Sequence, residues 1–275
     1  MATPIRQAAL ALAIGLAAAP AMAAMREAPV EWKIGDTAFA GVLVYDDDAG
    51  EGARPGLVMV PNWMGVTPDA LAMARRVAGD DYVVLVADVY GKDVRPKDKA
   101  QAQAAVKAAY ADGGKTLRER AGKAVEVLRA QAGKAPVETA KVGAFGFCFG
   151  GGVVLELARS GADLPGGVVS FHGNLDAYRP ADGPIRTSVL VLNGADDASV
   201  SREQVAKFEE EMRAAKADWQ LVDFGGARHC FSQPEDADNP PDDNCRYDER
   251  AAKRAFAMAE DFFEERFEAK PAPKP

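Results

Sequence analysis

Residues 146–152 read Gly146-Phe147-Cys148-Phe149-Gly150-Gly151-Gly152, after the apolar run Lys141-Val142-Gly143-Ala144-Phe145 and before Val153-Val154-Leu155-Glu156-Leu157-Ala158. A strand that stops at a glycine-flanked cysteine and resumes as a helix is a nucleophile elbow with thiol in place of hydroxyl. The glycines at 146 and 150 sit where a Cβ would collide with neighbouring backbone, and the strained turn between them holds the sulfur out of the sheet. The helix that follows directs its free N–H groups and positive dipole end at that sulfur, which favours thiolate over thiol. A buried structural cysteine beside packing glycines is the plainer alternative. A phosphate loop is a poorer fit, because no Gly-Lys-Ser/Thr follows and the Gly-x-Gly-x-x-Gly spacing is absent.

A thiol nucleophile needs a base and a group to orient it, and both follow in the chain. Ser188-Val189-Leu190-Val191-Leu192-Asn193 reads as a buried strand, and Gly194-Ala195-Asp196-Asp197 places an acid just beyond it. Trp219 to Phe224 reads as a later strand, followed by Gly225-Gly226-Ala227-Arg228-His229. Only two histidines exist, so the base is His229 or His172. His229 lies after nucleophile and acid, whereas His172 follows Val168-Val169-Ser170-Phe171 and reads as a strand-end polar residue. Asp197 is expected to orient the imidazole, with neighbouring Asp196 as the alternative. The order nucleophile, acid, histidine differs from the orders in the chymotrypsin and subtilisin types.

Cys148 with its flanking glycines, Asp197-Ala198-Ser199-Val200 and His229-Cys230-Phe231 together resemble the dienelactone hydrolase family, a cysteine-using branch of the α/β-hydrolases. Pro61-Asn62-Trp63-Met64-Gly65-Val66 stands where that family has its oxyanion loop, and Ala87-Asp88-Val89-Tyr90-Gly91 where it has a similar Asp-x-Tyr. The resemblance runs from about Val30 to Phe267 and implies an α/β-hydrolase fold and cleavage of an ester, thioester or lactone. It implies a triad of Cys148, Asp197 and His229, with the backbone N–H groups of Trp63 and Phe149 as oxyanion donors. Asn62, Tyr90, Lys92 and Gln233 are the implied substrate-binding positions. At the Asn62 position the family usually has a glutamate that helps activate the cysteine, so Cys148 here depends on His229. Two family arginines that hold a substrate carboxylate correspond to Lys92 and Gln233, which lose the bidentate fork and the charge respectively. Arg95 is a nearby stand-in. Dienelactone itself is therefore a poor candidate substrate, and another small ester, thioester or lactone is expected. A non-catalytic binding protein on the same fold is the alternative, and Asn62 is the feature that supports it. Trp63, Met64, Tyr90, Phe147, Phe149 and Phe231 are the aromatic and apolar candidates for a pocket around the thiol, with Trp63 and Phe149 nearest to it.

The elements that must position these residues are legible from periodicity. Glu31 to Tyr45 reads as a hairpin around Gly35-Asp36, Leu57 to Val60 and Tyr82 to Ala87 as buried strands, and Pro68 to Ala78, Lys97 to Tyr110 and Thr116 to Gln131 as helices. A last helix runs from about Tyr247 to Phe267. Repeated strand–helix units predict the fold class α/β, a mainly parallel doubly wound sheet with helices on both faces and a site at the carboxyl edge of the strands.

Residues 1–23 read as a signal peptide: Arg6 starts it, Ala8 to Ala19 is small and apolar, and Ala21-Met22-Ala23 fits a cleavage site. The apolar stretch is short for a bilayer span, so export to a periplasmic or secreted location is expected rather than membrane anchoring. Residues 24–269 are expected to form one domain, a hydrolase domain by the resemblance, and the Pro/Lys/Ala-rich residues 270–275 are expected to be a disordered tail. A net charge of −8 argues against nucleic acid and anionic membrane surfaces as partners. A monomer acting on a small-molecule ester or lactone, with no cofactor and no metal, is expected. No Cys-x-x-Cys supports a thiol-redox reading, and His229, Cys230 and Cys245 match no common zinc spacing. The segment between Cys230 and Cys245 holds three prolines and seven residues of the Asp, Glu and Asn types. Such a segment builds no core of its own, so in an exported chain a Cys230–Cys245 disulfide is the expected tether, leaving Cys148 free. Two unpaired cysteines are the alternative.

Overall fold

The computed structural model describes residues 25–50 and 52–268. The expected signal peptide and tail lie outside the described residues.

One eight-stranded sheet organises the described residues. A hairpin of β1 (Met25–Ile34) and β2 (Thr37–Asp46) turns at Gly35-Asp36 and is followed by β3 (Arg54–Val60), β4 (Val83–Val86) and β5 (Val137–Phe147). Then come β6 (Val168–Phe171), β7 (Val189–Gly194) and β8 (Trp219–Phe224). Their spatial order is β1-β2-β4-β3-β5-β6-β7-β8; the six strands from β4 to β8 run parallel, and β1 and β2 are antiparallel at one edge. The central strands are buried along their length, as a sheet covered on both faces requires.

Alternate residues of these strands feed two cores. Val58, Val60, Leu85, Ala144 and Val191 pack with α2 (Lys99–Ala109), α3 (Lys115–Arg129), α4 (Phe149–Arg159) and α5 (Arg202–Ala214). Their sequence neighbours Leu57, Met59, Val86, Phe145 and Leu192 face the other way, onto α1 (Pro68–Ala78) and α6 (Glu249–Glu268). That period-two split makes the sheet doubly wound. Helix starts follow local chemistry. Thr67 Oγ1 accepts the Ala70 N–H before α1, and Ser201 with Gln204 forms a reciprocal capping box before α5. No helix among the described residues is long and apolar enough to cross a membrane.

α4 carries an unusual charge load for a wholly buried helix. Glu156 accepts from Arg118 Nε at 2.8 Å, Arg159 Nη1 at 3.0 Å and the Tyr178 backbone N–H at 3.1 Å. Arg159 in turn makes a two-pronged pair with Glu211 of α5 at 2.8 and 2.9 Å. The cluster ties α3, α4 and α5 to one another below the elbow.

Candidate active site

At the end of β5 the chain reverses into α4 through Cys148, whose φ of 52° is in a region side chains rarely adopt. The reversal is possible because the residues two positions away on either side, Gly146 and Gly150, lack side chains. A Cβ on Gly146 would overlap the backbone of Gly150, and one on Gly150 would overlap the carbonyls of Val60 and Pro61. Cys148 is thus the N-cap of α4, and no side chain caps that terminus. Among the described residues, neither the Phe149 nor the Trp63 N–H has a hydrogen-bond acceptor.

The acid and the histidine arrive from β7 and β8. His229 Nε2 lies 3.0 Å from Cys148 Sγ, and His229 Nδ1 lies 2.7 Å from Asp197 Oδ2. Asp196 is exposed, so of the two adjacent acids it is Asp197 that reaches the imidazole. Asp197 is buried, yet its other oxygen accepts the Ser199 N–H at 2.7 Å and Asn244 Nδ2 at 3.1 Å. Burial opposes its ionisation, but the hydrogen bond and charge of His229 with these donors bring its pKa down to about 2. For His229 burial disfavours the imidazolium, and the bonds and charges of Asp197 and Cys148 outweigh it, raising the pKa to about 10. Nδ1 must carry a proton to face a carboxylate. Nε2 is then the atom that exchanges a proton with sulfur.

His172 stands beneath this couple, where sequence reading assigned it only a strand-end place. It is fully buried with a φ of 40°, its Nδ1 accepts the Cys148 N–H at 3.2 Å, and its Nε2 lies 2.9 Å from Ser232 Oγ. Accepting at Nδ1 leaves the proton on Nε2, donated to Ser232. Burial, then the charge of His229 5.1 Å away, lowers its pKa well below the ordinary value, so it stays neutral.

The remaining expected site residues divide. Asn62 Oδ1 accepts the Met64 N–H at 3.0 Å and shapes the loop that presents Trp63. The Tyr90 hydroxyl donates to Trp63 O at 3.0 Å, and its ring stacks on Phe149. Lys92 Nζ is paired with Glu31 of β1 at 2.5 Å. Arg95 donates to Asp88 and to the carbonyls of Gly91, Val94 and Ala40, so its guanidinium is consumed in fixing the loop after β4. Gln233 is buried, with Nε2 on Glu235 and Asp236. Phe147 and Phe231 belong to the core under α1 and α6. Cys230 and Cys245 form a disulfide, their Cα atoms 4.9 Å apart, and Cys148 is free. The pair therefore offers no thiolates to a metal. Asn244 and Ser232 escaped sequence reading. The one available signal for Asn244 was its place beside a half-cystine.

The model of the dienelactone hydrolase family matches residues 39–267. The chain belongs to the dienelactone hydrolase family. Its architecture is the α/β-hydrolase fold, and it is a hydrolase acting on ester bonds. The solved structure of P91, a dienelactone hydrolase-like promiscuous phosphotriesterase from metagenomic libraries, is 37% identical with a TM-score of 0.79, over 88% of this chain and 98% of that one. A structure named m3DLH is 33% identical with a TM-score of 0.80, over 88% and 99% of the two chains. The Caenorhabditis elegans protein K02A2.1, an uncharacterized protein, is 39% identical over 136 residues, 48% of this hydrolase and 84% of the worm protein.

Proposed function

We propose that this hydrolase cleaves small, uncharged esters or lactones through a Cys148-His229-Asp197 triad. The observation that carries the reading is the unbroken relay from Cys148 Sγ through both nitrogens of His229 to Asp197, at 3.0 and 2.7 Å. The thiolate attacks the carbonyl carbon, and the Phe149 and Trp63 N–H groups hold the resulting oxyanion. One such donor is typically worth about 10²–10³ in rate. Collapse of the tetrahedral adduct breaks the carbon–oxygen bond to the leaving group, and His229 gives its Nε2 proton to the departing alkoxide. A thioester remains on Cys148. Water, deprotonated by His229, attacks it; the acid product leaves, and the thiolate–imidazolium pair is restored.

An uncharged substrate follows from what the family's carboxylate-holding positions do here. Lys92 is neutralised by Glu31, Gln233 sits among carboxylates and Arg95 is spent on backbone. A catalytically inactive binding protein is the poorer reading, because the sulfur keeps its imidazole partner while Asn62 serves the loop. We also propose that the chain is exported. The Cys230–Cys245 disulfide and the N-terminal sequence support that location, which fractionation of the source cell would check.

The deciding assay pairs p-nitrophenyl acetate, a small aryl lactone and a p-nitrophenyl phosphotriester, the last chosen because of the name P91 carries. Cys148→Ala should fold normally and hydrolyse none of them, and one equivalent of iodoacetamide should silence the wild type. Cys148→Ser should retain little activity, since a hydroxyl ionises far less readily than a thiol. Wild-type turnover by Cys148→Ala would remove the elbow from the mechanism.

A further inference from the structure

Asp197 is gripped from both sides by one closed loop. Its Oδ2 meets His229, the residue before Cys230, and its Oδ1 meets Asn244, the residue before Cys245. The two half-cystines therefore deliver both side-chain partners of the acid. The backbone repeats the arrangement: His229 and Cys245 form an isolated parallel bridge, and the Arg246 N–H donates to His229 O at 2.9 Å.

Asn244 does more than touch the carboxylate. Its Nδ2 also reaches Ser199 Oγ at 3.0 Å, and its Oδ1 accepts the Ala198 N–H at 2.9 Å. One amide thus pins three consecutive residues, Asp197 to Ser199, in the turn that aims the acid. Apart from His229, the other hydrogen bonds of Asp197 to Ser199 are local, from the Asp197 N–H to Gly194 O, the Val200 N–H to Asp197 O and the Ser199 N–H to Asp197 Oδ1, and Ala198 and Ser199 are exposed. Asn244 itself comes from a proline- and acid-rich segment with no helix beyond the short 3-10 turn Pro234–Asp236, and Cys245 is the covalent point that fixes its position.

We propose that Asn244 is a positioning residue for the triad, and that the Cys230–Cys245 bridge holds it against Asp197. The proposal rests on the triad described above. The amide fixes the carboxylate so that only Oδ2 faces the imidazole, and its N–H helps keep Asp197 ionised. The bridge spans a span of chain too polar to hold that geometry by packing, so the disulfide acts on the chemistry as well as on stability.

Three variants test this: Asn244→Ala, Asn244→Asp and the paired Cys230→Ser/Cys245→Ser. Ester turnover is measured beside two readouts that need no substrate, the pH profile of Cys148 alkylation by iodoacetamide and the downfield NMR resonance of the His229 Nδ1 proton. Losing a hydrogen bond to a charged group corresponds to about 10- to 100-fold. Asn244→Ala should lower kcat by that order with KM within about twofold, slow alkylation in parallel and weaken the Nδ1 resonance. Asn244→Asp should be worse and should move the acid limb of alkylation to higher pH, because a second carboxylate beside Asp197 favours its protonation. The paired serine variant should reproduce the alkylation and NMR changes of Asn244→Ala, and combining the two should add less than their sum. A lowered melting temperature with an unchanged alkylation profile and unchanged resonance, in either variant, would overturn the proposal. If no ester is turned over at all, the alkylation and NMR results still decide the role of Asn244, so the two readings fail separately.

Discussion

At the scale of single residues, the proposed triad lies beside a second histidine, and the two imidazoles are held in different charge states 5.1 Å apart. His229 is kept cationic by Asp197 and Cys148, and His172 is kept neutral by burial. A second imidazolium there would repel the first. His172→Ala should therefore act mainly on the turn. It frees Ser232 Oγ and removes one acceptor from the Cys148 N–H, which Phe171 O still holds at 3.0 Å. We expect a loss of about 1–3 kcal/mol in stability, from the buried partners left unpaired, and less than tenfold in Cys148 alkylation. His229→Ala should nearly abolish alkylation at neutral pH. Denaturant unfolding and alkylation on the same samples separate the two, and a larger alkylation loss in His172→Ala would reverse their roles. Reading the sequence located Cys148, Asp197 and His229 because strand ends and glycine spacing mark them. It missed the task of His172, because a bond to the Cys148 N–H across a sheet leaves no local pattern. Asn244 is hidden for the same reason, being 47 residues from the carboxylate it holds.

At the scale of elements, strand and helix boundaries were legible where caps and apolar runs are local. Pro68–Ala78 begins at Thr67 and Pro68 and ends at Gly79, and Trp219–Phe224 is the strand read from sequence, although Leu221 and Val222 are both half-buried and break a strict alternation. β1 begins at Met25, earlier than the Glu31 start read from sequence, because every residue to its N-terminus finds a partner on β2. Propensity alone does not announce that. Least legible was the attachment of α4. Its apolar run reads as a plain core helix, yet Glu156 lies between Arg118 and Arg159 with every oxygen used. Glu156→Ala would leave two buried guanidinium groups with a partner missing, a change that typically costs about 3–5 kcal/mol. The elbow sits at the start of the same helix, so Cys148 alkylation should become more temperature-sensitive in that variant. Urea titration gives the first number, and a loss below about 1 kcal/mol would mean that Glu211, on Arg159, and Asp182, 3.1 Å from Arg118 Nη1, compensate the arginines without it.

At the scale of the whole molecule, the His229–Asp197 pair makes stability depend on pH. His229 has a folded pKa near 10, above the unfolded value of 6.5, so its contribution is complete below 6.5 and fades as pH rises toward 10. Asp197 has a folded pKa near 2, below the unfolded 3.8, so its contribution holds above 3.8 and is lost as pH falls toward 2. Both are present together from about pH 4 to 6.5. The melting-temperature difference between wild type and His229→Gln should be largest in that window and shrink steadily to pH 10. A difference that stays constant across the alkaline limb would show that the histidine gains no charge on folding.

The antiparallel hairpin at the sheet's margin has a consequence for how copies of the protein meet. An outer strand carries unpaired N–H and C=O groups that invite another sheet to dock, and β1 defends against this along its length. It bears Arg26, Glu27, Glu31 and Lys33, and Pro29 within it has no N–H to offer. Glu27 is further tied to Arg75 of α1, and Glu31 to Lys92. Replacing Pro29 and Lys33 together with valine, which leaves the Glu31–Lys92 pair in place, should make the protein self-associate through its margin. Light scattering against concentration would register that, and the hairpin would then be seen as the part of the molecule that keeps its neighbours away.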